Sequence, residues 1–152
     1  MTLLGEKIAA LKLPIPLSVP SGTSVRDVIE QVQRQRVGCV LVCQESSVVG
    51  IMTEWDVLMK VVRRDIDPDS PVDQFMTPNP RTLTSDRTIG DAIALMNDEG
   101  FRNIPIVDTK TGEAIALIRV QDIIDFLGES FPEQVINLPP RPHQKMRTPE
   151  GA

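Results

Sequence analysis

Apolar positions change period several times along the chain, and each change marks an element. Val25, Val28, Ile29 and Val32 recur at helical spacing, as do Ile89, Ala92, Ile93 and Met96, which predicts two amphipathic helices. Each follows a hydroxyl with an acid three residues on, Ser24 with Asp27 and Thr88 with Asp91, the arrangement that caps a first turn. Two β-rich runs come after each helix: Val37 to Cys43 with Val48 to Met52, then Ile104 to Val107 with Ala114 to Ile118. The loops between them, Q-E-S-S and D-T-K-T-G-E, are short and polar, as hairpins prefer. Short extended segments, Leu17 to Val19 and Thr82 to Thr84, precede the helices, and closing helices are predicted over Glu54 to Val62 and Val120 to Leu127.

The pattern therefore occurs twice. Ser24-Val25-Arg26-Asp27-Val28-Ile29 returns sixty-four positions later as Thr88-Ile89-Gly90-Asp91-Ala92-Ile93. The same offset carries Val19 onto Leu83, Val32 onto Met96 and Val40-Leu41-Val42 onto Ile104-Pro105-Ile106. After a loop two residues longer in the second copy, Gly50-Ile51-Met52 matches Ala116-Leu117-Ile118, and Asp56 matches Asp122. Such self-similarity marks a repeat architecture. The expected fold is α+β: two pseudo-symmetric β-α-β-β-α units, each too small to bury much core alone. They should pack sheet to sheet about a pseudo-two-fold axis, leaving a cleft between them on each side. The expected boundaries are residues 1–64 for an N-terminal segment and first repeat, 65–72 for a linker and 73–130 for the second repeat. The join is rich in acids and prolines and reads as solvated, with a small capped turn at Ser70-Pro71-Val72-Asp73 that puts Pro at the first helical position. Residues 131–152 form a proline-rich tail that cannot bury enough apolar surface to order itself.

Composition narrows the chemistry. The 152 residues are 41% apolar but only 3% aromatic, with no Tyr, so the core must be built from Val, Ile, Leu, Met and Ala. Net charge is −5 with both signs interspersed; no basic face with stacking aromatics points to nucleic acid as the main partner. The N-terminal stretch is broken by Glu6, Lys7 and Lys12 and makes a poor signal peptide. No window has the apolar length to span a bilayer, so the expected location is cytoplasmic with no membrane partner. Cys39 and Cys43 share a strand face and could be imagined as a metal pair, but buried free cysteines behave as small hydrophobes. No other ligand cluster accompanies them, and the one histidine, His143, lies in the tail; no metal site is expected.

Two further motifs complete the picture: F-M-T-P-N-P opens the second unit, and G-I-M-T-E-W-D, Gly50 to Asp56, closes the first hairpin. With F-R-N-I-P-I-V-D and the internal repeat, they make Leu11 through Leu127 resemble a tandem pair of cystathionine-β-synthase (CBS) domains, a Bateman module. The resemblance implies a regulatory sensor that binds AMP, ADP, ATP or S-adenosylmethionine between its repeats, with the acid of T-x-x-D on the ribose hydroxyls and the threonine near phosphate. Those positions are Asp56 and Thr53. A carboxylate can accept from both hydroxyls of a ribose, and a helix N-terminus offers free N–H groups to an anion. The same four residues also satisfy an ordinary capping box, so both readings stand.

The second copy, A-L-I-R-V-Q-D, keeps Asp122 but places Arg119 where threonine should be. Arg119 can supply charge to a phosphate or form an ion pair with Glu113 or another nearby acid. The resemblance places Arg102 and Asn103 where such domains reach phosphates, while Gly38 and Cys39 hold the equivalent place in the first copy. Asp56 should then share a cleft with Thr82, Leu83, Arg102 and Asn103, the preferred site, and Asp122 should face Ser18, Val19, Gly38 and Cys39. Trp55 is expected to pack, within the chain or across a dimer, rather than to stack on a base. The apolar closing helices predict a homodimer, which the resemblance implies is disc-like.

No nucleophile–base pair, glycine-rich phosphate loop or paired-carboxylate motif suggests an enzyme, and no cofactor is required beyond an adenine nucleotide as regulatory ligand. A sensor of this kind needs an effector protein to act on. The competing expectation is a structural dimerisation module with empty clefts.

Overall fold

The computed structural model describes residues 3–130; the proline-rich tail lies outside the described residues. The densest apolar run makes the centre of the first unit. Cys39, Val40, Leu41 and Val42 are all buried, so β2 (Cys39–Gln44) is covered on both faces. β1 (Ser18–Pro20) pairs parallel to it, and β3 (Ser47–Thr53) pairs antiparallel. A two-residue strand, β4 (Thr77–Pro78), adds to the outer edge of β3. The second sheet has the order β5 (Leu83–Thr84), β6 (Asn103–Val107), β7 (Ala114–Arg119). Its register repeats the first. Val19 lies opposite Val42, and sixty-four residues on, Leu83 lies opposite Ile106; the hairpins are irregular between Val42 and Cys43 and again between Ile106 and Val107.

The helices follow the capping signals. Ser24 accepts from the Asp27 N–H at the start of α1 (Val25–Gln35), and Thr88 with Asp91 completes a capping box on α3 (Ile89–Glu99). Both end on a left-handed residue, Arg36 at φ 54° and Gly100 at φ 75°, which releases the chain toward the next strand. The first closing helix differs from expectation. Only Glu54–Asp56 is α-helical (α2), and Val57–Val62 continues as a π-helix, with the Arg63 N–H reaching the Leu58 carbonyl at 3.0 Å. Six residues are too few for apolar spacing to distinguish the two windings. α4 (Val120–Ser130) runs three residues past Leu127.

Each unit has its own core between helices and sheet, and a third cluster of Cys39, Leu41, Ile51 and Leu117 joins the sheets face to face. The two segments leading into the units are exchanged. Ile8 is buried in the second core and Val72 in the first. The Ile8 N–H bonds to the Arg87 carbonyl at 2.8 Å, and the Val72 N–H to that of Thr23 at 2.7 Å. Ile89 bonds back to Glu6 as Val25 does to Ser70, again sixty-four positions apart. The join is exposed at Asp65, Asp67, Pro68 and Asp69, but its end is docked, and Val72 through Pro78 sit on the first unit. Pro71 precedes the 3-10 turn Val72–Gln74 instead of starting it. Single apolar residues such as Ile8 and Val72, set among polar ones, carry no period that sequence reasoning could follow.

Candidate functional site

β3 carries Thr53 to the sheet end, where its hydroxyl accepts from the Asp56 N–H at 3.2 Å. Asp56 Oδ2 in turn accepts from the Thr53 N–H at 3.0 Å and from its hydroxyl at 3.1 Å. The capping box is thus complete, and Thr53 uses its donor on it. Asp56 Oδ1 turns the other way, with Lys60 Nζ 3.3 Å off. The Asp56 side chain keeps 14% of its surface exposed, at the wall of a cleft of about 380 Å³ between the repeats. Opposite stand Phe101, Arg102 and Asn103, delivered by the left-handed turn at Gly100. Arg102 has no ion-pair partner among the described residues. The volume lies within the roughly 300–1,000 Å³ range of small-molecule sites.

Four expected residues meet here: Thr53, Asp56, Arg102 and Asn103. Thr82 and Leu83 do not line the cleft. Leu83 is held by its pairing with Ile106 and packs on the second core, so Thr77, from the M-T-P opening, and Phe101 take their place. Gly38, expected beside Asp122, lines this cleft instead. A side chain there would press on the Glu54 carboxylate, 3.0 Å from an added Cβ. Trp55 is 66% exposed on the cleft's edge, so packing within its own chain is not its main role. Sequence reasoning passed over Glu54, Lys60, Thr77 and Phe101. The motif containing Thr77 was visible, but its meeting with Ile51 across β3 and β4 was not.

The second T-x-x-D position is built otherwise. Asp122 still receives the backbone N–H three residues earlier, from Arg119, at 2.8 Å. In place of a threonine hydroxyl, the guanidinium of Arg119 binds both carboxylate oxygens, Nε to Oδ2 at 2.9 Å and Nη2 to Oδ1 at 2.7 Å. This hydrogen-bonded pair raises the Arg119 pKa further above its ordinary value. The acid on Arg119 is therefore Asp122, not Glu113. Asp122 lines a hollow with Ala10, Lys12 and Asp125, under the exchanged N-terminal segment. Of its expected neighbours, Val19 is sealed in the first core and Ser18 is exposed on β1. Cys39 is buried close enough to Arg119 to feel its charge; burial pushes the thiol up to about 11, with Arg119 pulling the other way.

Among the described residues no three metal-binding side chains gather, and no helix is long and apolar enough to cross a membrane. The CBS domain model matches the chain twice, over residues 11–63 and 72–129. The chain belongs to the CBS-domain family. It is 34% identical over 119 residues to the CBS domain-containing protein CBSCBSPB3 of Arabidopsis thaliana, covering 78% of this chain and 20% of that one. It thus spans about a fifth of that relative's length. Among solved structures it resembles the CBS domain protein PAE2072 of Pyrobaculum aerophilum complexed with AMP, with a TM-score of 0.71, 22% identity, and 82% and 99% of the two chains covered. It also resembles the CBS domain pair of protein MJ0100 in complex with 5′-methylthioadenosine and S-adenosyl-L-methionine, with a TM-score of 0.68, 21% identity, and 78% and 95% covered. These likenesses establish the fold of a CBS pair.

Proposed function

We propose that this CBS pair is a non-catalytic regulatory module that binds an adenosine-containing ligand in the cleft between Asp56 and Arg102. The observation that carries the reading is the meeting of a carboxylate from one repeat with a guanidinium from the other, without an ion-pair partner among the described residues, across about 380 Å³. Asp56 Oδ1 faces the ribose hydroxyls, and Arg102 with Asn103 meets a phosphate or carboxylate. The AMP, 5′-methylthioadenosine and S-adenosylmethionine in the structural neighbours support the ligand class. Since the cleft is walled by both repeats, a ligand there favours one relative arrangement of them by its difference in affinity. The module works in the cytoplasm as a homodimer and passes that change to an effector protein. Exposed Leu58, Val62 and Ile124 on the closing helices, with Trp55, supply apolar surface for the dimer.

Calorimetry with AMP, ADP, ATP and S-adenosylmethionine tests the reading. Trp55, the only tryptophan, lines the cleft, so its emission should change at the same ligand concentrations. Saturable binding of one of the four that moves Trp55 emission is expected. Heat and emission flat to millimolar ligand would leave a structural dimerisation module.

A further inference from the structure

The two T-x-x-D positions have diverged in a way that sets how many ligands one chain can hold. At Asp56 the cap occupies one carboxylate oxygen, and the other meets only Lys60 at 3.3 Å, on a flexible side chain that is one-third exposed. At Asp122 three hydrogen bonds of 2.7, 2.8 and 2.9 Å reach the carboxylate, all from Arg119. They fill most of its roughly four acceptor positions, and only 5% of the side chain remains exposed. The guanidinium also stands near enough to Cys39 of the other repeat for its charge to be felt there. A ribose arriving at Asp122 must displace a bidentate, charge-assisted pair held by a three-residue tether, and offers only neutral hydroxyls in return. We infer that Arg119 is a built-in occupant of the Asp122 carboxylate, so that each chain binds a single adenosine-containing ligand, at Asp56. This rests on the reading of the Asp56 cleft given above. Arg119 is then specificity-determining by exclusion, and its exposure of 43% leaves it close to the surface, where substitution disturbs little core.

The experiment is calorimetric stoichiometry on the full chain with adenosine and with AMP. Arg119→Thr recreates the residue at Thr53 and its cap, while Arg119→Ala removes the guanidinium without supplying a hydroxyl. Expected are one site per chain in the wild type, none within tenfold of that affinity in Asp56→Asn, and a second site for adenosine in Arg119→Thr, Arg119→Ala or both. Two sites in the wild type would overturn the inference, as would one site persisting in both Arg119 variants. If the wild type binds nothing but Arg119→Thr binds one adenosine, the exclusion stands and the Asp56 reading fails. If all of them bind nothing, both fall.

Discussion

At the scale of residues, one carboxylate is asked to do two jobs. Asp56 closes its helix cap through Oδ2, meets Lys60 through Oδ1 and lines the cleft. Asp56→Asn should leave the fold within about 1 kcal/mol, because asparagine is tolerated at helix starts. Ribose binding should fall about tenfold or more, since a hydrogen bond to a charged group contributes about 1.5–3 kcal/mol. Arg102→Ala should weaken AMP and leave adenosine nearly unchanged; titration of Trp55 emission measures both. A lower melting temperature in Asp56→Asn with unchanged affinity would reduce the motif to a cap. Cys39 supports a separate expectation. With its thiol pushed up to about 11 by burial, thiolate is scarce at pH 8, and a disulfide reagent should modify Cys39 slowly in native protein and rapidly in urea. Equal rates in the two conditions would contradict that burial. The sequence disclosed both capping acids and the anomalous Arg119. It could not show that Arg119 turns back onto Asp122, because an arginine side chain reaches several neighbours and only the backbone path selects one.

At the scale of elements, the periodic signals located both helices, both hairpins and their order. Where they failed, the structure depends on residues without period. β4 is two residues long, yet it brings Met76 over Gly50, where an added Cβ would lie 2.1 Å from the Met76 sulfur. Gly50→Ala should therefore cost about 1–3 kcal/mol, and Met76→Ala in the same chain should recover part of it; denaturant unfolding of the two single variants and the double variant checks the coupling. The docked turn that follows Pro71 is held by Asp73, whose carboxylate accepts from the Ser21 hydroxyl and the Gly22 N–H. Those bonds lower the Asp73 pKa below its ordinary 3.8. Folding thus favours the charged form. The contribution is complete above the ordinary value and disappears as pH falls through the lowered one. Acid titration followed by unfolding should show Asp73→Asn less sensitive between neutral pH and about pH 3 than the wild type. Identical slopes would show that the Asp73 bonds add no pH-dependent stability to the turn.

At the scale of the whole molecule, the closing helices leave Trp55 66%, Leu58 53%, Val62 63% and Ile124 52% exposed. Leu58 and Val62 lie on the π-helical stretch and Trp55 on the α-turn before it, and exposed apolar residues grouped on adjacent turns suit an association surface. Light scattering at micromolar concentration should give twice the chain mass, and Leu58→Asp should shift it toward the monomer. A monomer mass in the wild type would defeat the association.

The exchanged leading segments carry a different consequence. Since Ile8 belongs to the second core and Val72 to the first, the chain crosses between its halves once on the way in and again at the join. Severing the backbone between residues 64 and 65 would not free two modules. Each fragment would still hold the piece its counterpart lacks, as the halves of a split protein do, and the pair would stay clasped through buried residues with no peptide bond between them. In this chain the linker sets the order of the repeats, and the clasp holds them together.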